Sequence, residues 1–202
     1  MRKKLLLYIG FFIVLALGFY VALRQYVPGF AKGGLAPVSL VKPFRFINQN
    51  GKTITDDDVK GKVYVANYFF TTCKSVCPIM NNYMASVYET YKNEKDFLIL
   101  SHTCMPEVDS IQLLKKYADS LKVNTDKWIF LTGNKKDLYL AARVSYTIDD
   151  PNNNLVNTDD EFMHTQFCAL VDKEGNVRGV YDALKQLEMD KLKKDIKKYI
   201  AE

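Results

Sequence analysis

Residues Lys62–Pro78 read KVYVANYFFTTCKSVCP, and this stretch decides the fold class. Lys62–Phe70 is a near-continuous apolar run, as expected of a β-strand that is buried on both faces. Cys73 and Cys77 follow the run, and Pro78 then suits the first turn of a helix, where its missing N–H costs nothing. In open α/β sheets, a loop that joins a buried strand to a helix in this way lies at the edge where chemistry tends to occur.

The rest of the chain alternates strands and helices around this stretch. A β-ribbon with an Asn50-Gly51 turn precedes it, and a helix with apolar residues at helical spacing follows it as far as Lys92. The later predicted elements are a buried strand in DFLILSHT (96–103), a helix in 109–121 capped by Asp109 or Ser110, a strand in KWIFLTG (127–133), a helix in 135–146, a polar loop over Asp149–Glu161, a hairpin in 165–182 and a final helix. This order predicts an α/β protein with a thioredoxin-like three-layer fold and a central mixed sheet, in which the 62–70 strand is central.

The N-terminal segment predicts one transmembrane helix before this domain. Leu5–Leu23 contains 19 consecutive residues without a charge, about 28 Å of helix against a bilayer core of roughly 30 Å. The run is longer than the apolar region of a cleaved signal peptide, and no Ala-x-Ala-like site follows it. We therefore predict a membrane anchor over residues 1–24, a Pro- and Gly-containing tether over 25–40, and a globular domain over 41–202.

The distribution of charge predicts the orientation of the chain and argues against nucleic acid as a partner. Basic residues at 2–4 precede the predicted helix, and although Arg24 and Lys32 reduce the asymmetry, the positive-inside bias favours a cytoplasmic N-terminus. The chain would then cross the inner (cytoplasmic) membrane once, with its domain on the periplasmic, extracytoplasmic side. The net charge of +5 is spread out, and the one dense basic run, 191–202, has the apolar spacing of a terminal helix with a solvated face.

The four cysteines, Cys73, Cys77, Cys104 and Cys168, are too few for a disulfide scaffold. In an oxidising compartment, thiols are paired, bound to metal or engaged in redox chemistry. Cys73 and Cys77 lie near a predicted helix N-terminus, where unpaired N–H groups and the helix dipole favour the thiolate that attacks disulfides and binds metals. A structural disulfide or two buried thiols is the alternative, and the position at the exit of a central strand argues against it.

A metal site would need a third ligand, and the chain contains two histidines, His102 and His164. His164 lies where the polar loop enters the hairpin strand, which in a thioredoxin-like sheet faces the cysteine loop. Two thiolates and one imidazole would form a soft site that favours Cu(I), with the imidazole adding affinity for Cu(II). Zinc would want a fourth ligand, which the sequence does not identify. A lone loop histidine is usually polar surface, so spacing alone leaves the role of His164 open.

The segment FFTTCKSVCP (69–78), followed far downstream by HTQFCALVDKEGNVRGVYD (164–182), resembles the Sco/SenC family of membrane-anchored copper-binding proteins. The resemblance covers about residues 41–200 and extends to the single N-terminal anchor. It implies a thioredoxin-like fold, a copper site made by Cys73, Cys77 and His164, and a role in building the CuA centre of cytochrome c oxidase. The implied partners are the copper-bearing subunit of the oxidase and other copper chaperones or thiol reductants.

Three functions remain open at this point. The first is a copper chaperone. The second is a thiol–disulfide oxidoreductase that uses Cys73 and Cys77 as a redox pair to reduce cysteines of the oxidase copper site or of other extracytoplasmic proteins. The spacing of three residues argues mildly against a general redox role. The third is a peroxiredoxin-like peroxidase, which would need a P-x-x-x-T-x-x-C setting that the residues before Cys73 lack.

The remaining thiol and imidazole residues are expected to be structural. The sequence departs from the family at HTCMPEVDS (102–110), where Met105 takes the first position of an Asp-Pro-x-x-Asp stretch. Cys104 and Met105 are either loop packing or soft transient copper ligands, with packing favoured. His102 and Cys168 are expected in the interior. A Cys104–Cys168 disulfide is disfavoured because the two strands are expected to flank the central one, and a disulfide needs Cα atoms within about 7 Å.

Overall fold

The computed structural model describes residues 2–26, 36–149, 163 and 165–202. The chain forms two compact units, Met1–Ala36 and Pro37–Glu202. The first unit contains helix α1 (Arg2–Tyr26), and its segment Leu6–Tyr26 has a mean hydropathy of 2.5 and is long enough to cross a membrane. A signal sequence shares this length and composition.

The second unit is a mixed sheet with helices on both faces. Its strands are β1 (Ser39–Leu40), β2 (Arg45–Asn48), β3 (Thr53–Thr55), β4 (Val63–Phe69), β5 (Phe97–Thr103), β6 (Trp128–Thr132), β7 (Phe167–Val171) and β8 (Asn176–Asp182). Its helices are α2 (Asp56–Val59), α3 (Val76–Tyr91), α4 (Ile111–Leu121), α5 (Lys135–Leu140), which continues into a π-turn over Ala141–Ser145, and α6 (Gln186–Ala201). Within the described residues the strand order is β1-β8-β7-β4-β5-β6-β2-β3, with β4, β5 and β6 parallel to each other.

Strand β4 lies at the centre of this sheet, between the parallel β5 and the antiparallel β7. All seven of its residues are buried, as its continuous apolar sequence predicts. Val65 packs in one core layer with residues of α3, α4 and α6, whereas Tyr68 packs in a second layer with residues of α2 and α5. The thioredoxin-like three-layer fold with a central mixed sheet is therefore confirmed, and β4 is its central strand.

The second unit differs from the predicted elements at three points. Helix α3 begins at Val76, two residues before Pro78, so that Cys77 lies in its first turn. The helix predicted over 135–146 ends at Leu140 and continues as a π-turn, in which the Tyr146 N–H donates to the Ala141 carbonyl (2.8 Å). Strand β1 pairs with β8 inside the range assigned to the tether. The predicted loop over Asp149–Glu161 lies outside the described residues except for Asp149.

His102 lies in the interior, as the sequence predicted. Its ring is fully buried in β5, stacks on Tyr68 with centroids 4.9 Å apart, and meets the Phe46 ring edge-on at 5.4 Å. Burial lowers the pKa of His102 to about 4, although a hydrogen bond to the Asn67 carbonyl opposes this shift. The imidazole is therefore neutral at physiological pH and serves as a packing group.

This burial predicts a pH-dependent loss of stability. Because the folded-state pKa of His102 lies below the ordinary 6.5, the unfolded chain takes up the proton first as the pH falls. The stability that comes from burying His102 in its neutral form is fully present above pH 6.5 and is lost as the pH falls from 6.5 to 4. We expect urea unfolding of the Pro37–Glu202 unit to show a free energy about 2 kcal/mol lower at pH 5 than at pH 7.5.

The His102→Leu variant should lose most of this difference, since it has no proton to bind at this position. The carboxylate of Asp58, whose pKa is lowered by hydrogen bonds from Thr55, contributes stability that is lost only at more acidic pH, below its usual 3.8. A wild-type free energy that is as high at pH 5 as at pH 7.5 would show that His102 is not buried in its neutral form.

Candidate functional site

The cysteine loop leaves the sheet at the carboxyl end of β4. The Cys73 N–H donates to the Phe70 carbonyl (3.2 Å), which closes a turn directly after the strand. Helix α3 then begins at Val76, and the N-cap residue Ser75 makes no side-chain cap hydrogen bond. Cys73 is half-buried and Cys77 is buried, and both are free thiols. The loop therefore presents one accessible sulfur and one shielded sulfur at the same sheet edge.

The sulfur of Cys73 takes the place of the missing cap. The Cys77 N–H donates to the Cys73 Sγ (3.4 Å), and the Ser75 hydroxyl lies 3.8 Å from the same sulfur. Helix α3 begins three residues after Cys73, so Cys73 lies outside the helix and Cys77 lies inside it. The two residues are joined by this N–H···S bond, which uses one of the unpaired donors of the helix N-terminus.

The same arrangement separates the acidities of the two thiols. Partial burial alone would raise the pKa of Cys73, but hydrogen bonds from the Cys77 thiol and from the backbone N–H groups of Cys77 and Ser75 lower it below the ordinary value. Burial raises the pKa of Cys77 to about 12, and its hydrogen bond to Cys73 adds to this effect. Cys73 is therefore the thiol that ionises first, and Cys77 is its hydrogen-bond donor.

A buried carboxylate holds the start of the loop. Asp109 accepts from the Thr71 hydroxyl (2.5 Å), from the Thr71 N–H (3.3 Å) and from the Thr103 hydroxyl. The sequence identified Asp109 only as a candidate cap for α4, whereas Ser110 caps that helix by accepting from the Leu113 N–H (3.3 Å). The one signal in the sequence was that Pro106 and Asp109 keep their places in the family's Asp-Pro-x-x-Asp stretch, although Met105 replaces its first residue.

His164, the predicted third ligand, lies outside the described residues, but its two sequence neighbours lie inside them. The Met163 N–H donates to the Tyr139 hydroxyl (3.2 Å), and this hydroxyl donates to the Cys104 carbonyl (3.0 Å). The Cys104 N–H in turn donates to the Phe69 carbonyl (2.8 Å) at the end of β4. A continuous chain of hydrogen bonds thus joins the strand that carries the cysteine loop to the residue before position 164.

The residue after position 164 is held as well. Thr165 is buried, and its hydroxyl donates to the Ile148 carbonyl (2.5 Å) just beyond the π-turn. The same oxygen accepts from the Phe167 N–H (3.2 Å) at the start of β7. Sequence reasoning assigned no role to Tyr139 or Thr165, because their hydrogen-bond partners lie 24 and 17 residues away in the chain.

Of the other soft side chains, Cys104 and Cys168 are buried and Met105 is partly buried. Cys104 and Cys168 follow or lie in strands that flank β4, are not bonded to each other, and occupy opposite core layers. Burial raises the pKa of Cys168 to about 12 and also raises that of Cys104. Met105 is partly buried against the second layer. Among the residues that the structure describes, no group of three His, Cys, Asp or Glu side chains could hold a metal ion.

Comparison with known proteins gives a consistent set of relatives. The SCO1/SenC family model matches residues 34–201. A SCO1 protein homolog of Bacillus subtilis is 31% identical over 161 residues, which are 78% of this chain and 81% of that protein. A SCO2-like protein of Rickettsia felis is 31% identical over 166 residues, 78% of this chain and 73% of the relative.

Solved structures show the same fold. A SCO1/SenC family lipoprotein of Bacillus anthracis is 30% identical, with a TM-score of 0.70 over 84% of this chain and 100% of that chain. BsSco is 30% identical, with a TM-score of 0.68 over 82% of this chain and 96% of that chain. It is described as having a disulfide switch and as a member of the Sco family of cytochrome c oxidase assembly proteins. A copper-bound ScoI of Bradyrhizobium japonicum, 23% identical, shares the fold with a TM-score of 0.61 over 80% and 99%.

The unequal acidities predict unequal thiol reactivity. At pH 7 a larger fraction of Cys73 than of Cys77 is thiolate, and Cys73 is also more exposed. We expect iodoacetamide to alkylate the reduced Cys77→Ser variant at least about 10-fold faster than the reduced Cys73→Ser variant, as followed by mass spectrometry. Both variants need the Cys104→Ala and Cys168→Ala background, so that one reporter thiol remains. Equal rates would show that the N–H···S bond does not distinguish the two thiols.

The hydrogen bond from the Met163 N–H to the Tyr139 hydroxyl leads to a prediction for a Tyr139 variant. We expect Tyr139→Phe to lower the free energy of unfolding by about 1–3 kcal/mol and to raise the exchange rate of the Met163 amide proton, because that N–H loses this acceptor. The matched control is Tyr68→Phe, since the Tyr68 hydroxyl donates to the Leu138 carbonyl (2.6 Å) on the same helix. The control should lose stability without a selective change at Met163, and equal Met163 exchange in both variants would contradict this role of Tyr139.

Proposed function

Because the chain belongs to the SCO1/SenC family, we propose that it is a membrane-anchored copper chaperone that assists assembly of the CuA site of cytochrome c oxidase. The cargo would be Cu(I) or Cu(II), held by Cys73, Cys77 and His164. The observation that carries this proposal is the pair of free thiols, one of them with a lowered pKa, at the carboxyl edge of the central strand.

The chemistry of the thiol pair suits copper as a cargo. Thiolates are soft ligands that favour Cu(I), and an imidazole adds affinity for Cu(II). Cys73 ionises readily and is half-exposed, so that an incoming ligand can reach a metal bound to it. The high pKa of Cys77 implies that copper binding releases a proton from this thiol, which makes the affinity depend on pH.

The support for His164 as the third ligand comes from the two residues beside it in the chain. Met163 is tied through Tyr139 and Cys104 to the end of β4, and Thr165 is tied to the Ile148 carbonyl. Strand β7, which follows, is antiparallel to β4, so its first residues lie at the edge where β4 ends. These contacts support a histidine ligand from this segment.

The proposed location is the inner membrane, crossed once by α1 with its N-terminus in the cytoplasm and the domain on the extracytoplasmic side. The apolar segment Leu6–Tyr26 and the preceding basic residues support it. The proposed organisation is an anchor over 1–24, a tether over 25–40 and a copper-binding domain over 41–202. The proposed partners are the copper-bearing subunit of the oxidase and other copper chaperones or thiol reductants.

A thiol–disulfide oxidoreductase is the second candidate, and the asymmetry of the two thiols favours it. The Cys73 thiolate would attack one sulfur of a partner disulfide and form a mixed disulfide, while the other partner sulfur leaves as a thiolate. Cys77, after losing its proton, would attack the Cys73 sulfur, and the partner would depart as a dithiol. Two electrons pass from the cysteine pair to the partner, and the pair is left as a disulfide.

Copper titration of the full chain in detergent micelles tests the ligand set. We expect one copper per chain, a loss of affinity of more than about 100-fold in Cys73→Ser or Cys77→Ser, and a loss of about 10-fold or more with a changed visible spectrum in His164→Ala. The control is Cys168→Ala, which removes a buried thiol outside the pair and should leave copper binding unchanged. Unchanged affinity and spectrum in His164→Ala would exclude the three-ligand site.

A further inference from the structure

Asp109 is a buried carboxylate whose charge has no cation beside it. Its side chain has no exposure to solvent, and within the described part of the chain no lysine, arginine or histidine forms an ion pair with it. Its bonds come from neutral donors on Thr71 and Thr103. A carboxyl group is costly to bury unless its oxygens are hydrogen-bonded, so the partners of Asp109 call for an explanation beyond packing.

Capping of α4 does not supply that explanation. Ser110 already accepts from the Leu113 N–H as the N-cap of this helix. The positive end of the α4 dipole lies close in sequence to Asp109 and offsets part of the charge. The shortest bonds of the carboxylate, however, come from Thr71 and Thr103, which lie at the ends of two neighbouring strands.

Asp109 joins three segments at the edge that carries the thiols. Thr71 is the second residue after β4 and the second before Cys73, whereas Thr103 is the last residue of β5 and pairs with Phe69. The Thr103 hydroxyl also accepts from the Met105 N–H (2.9 Å), so it bonds both to Asp109 and to the start of the segment between β5 and α4. The carboxylate therefore fixes the path by which the chain leaves β4 and enters the cysteine loop.

We propose that Asp109 is a positioning residue that, through Thr71, holds Cys73 where its sulfur accepts the Cys77 N–H. The Cys73 N–H is bonded to Phe70, and Thr71 lies between these two residues in the same tight turn. A turn that is pinned at Thr71 can vary little in the direction of its Cys73 side chain. The consequence for copper rests on the proposed function, whereas the consequence for the N–H···S bond does not.

The test compares three threonine variants and one aspartate variant of the full chain in detergent micelles. Thr71→Val removes the hydroxyl that links the loop to Asp109, and Thr71→Ser keeps a hydroxyl there. Thr103→Val is the matched control, since it removes a hydroxyl donor to the same carboxylate but on the β5 side. Asp109→Asn removes the charge. The readouts are the amide exchange rate of Cys77 in the reduced, metal-free protein, copper affinity, and the urea midpoint of unfolding.

We expect Thr71→Val and Asp109→Asn to raise the Cys77 amide exchange rate about 10-fold relative to the rest of α3 and to weaken copper binding about 10-fold. Thr71→Ser should stay within about twofold of the wild type in both. Thr103→Val should lower the urea midpoint as much as Thr71→Val but change Cys77 exchange and copper affinity less than about twofold.

Two results would overturn the proposal. Equal Cys77 exchange in Thr71→Val and Thr103→Val would mean that Asp109 contributes to folding only. A loss in Asp109→Asn that Thr71→Val does not reproduce would mean that the carboxylate acts by its charge and not by position. If the wild-type chain binds no copper, the proposed function fails, and Cys77 exchange still decides this inference. If Asp109→Asn does not fold, the comparison of the threonine variants decides it.

Discussion

The burial of β4 on both faces is the constraint on which the rest of the molecule depends. All seven of its side chains are buried, and its edges are taken by β5 and β7. No residue of the strand meets solvent, so a group that solvent can reach has to lie beyond its ends, and Cys73 follows its carboxyl end. The cysteine loop lies there, Asp109 approaches from the end of β5, and the segment around Met163 and Thr165 approaches from the start of β7.

The N-terminus of α3 changes the acidity of the thiol at this position. Its free N–H groups need acceptors, and the half-exposed sulfur of Cys73 supplies one. A hydrogen bond to sulfur stabilises the thiolate, so the same contact that completes the helix also lowers the pKa of Cys73. Cys77 points into the core and keeps its proton. One accessible thiol with a lowered pKa next to one protected thiol suits both the transfer of a soft metal and the opening of a disulfide, which explains why the two candidate functions share residues.

The second core layer contributes to the site from a distance. The segment from α5 through the π-turn supplies the Tyr139 hydroxyl to one neighbour of position 164 and the Ile148 carbonyl to the other. The π-turn closes its hydrogen bonds over five residues instead of four, and such turns are rare but occur frequently at functional sites. Hydrogen bonds to this segment thus hold both neighbours of position 164, the position of the proposed third ligand.

The sequence alone determined the elements whose signals are local. The apolar run of β4, the cysteine spacing and the alternation of strands and helices indicated the three-layer fold, and the burial of His102 and Cys168 followed from their strands. The tertiary structure decided the rest: the start of α3 at Val76, the N–H···S bond, and the bonds of Asp109 to Thr71 and of Tyr139 to Met163, partners 38 and 24 residues apart. Periodicity and propensity act over a few residues, whereas the bonds of Asp109 and Tyr139 exist only once separate chain segments have been brought together. The N–H···S bond joins residues only four apart, and it depends on the residue at which α3 begins.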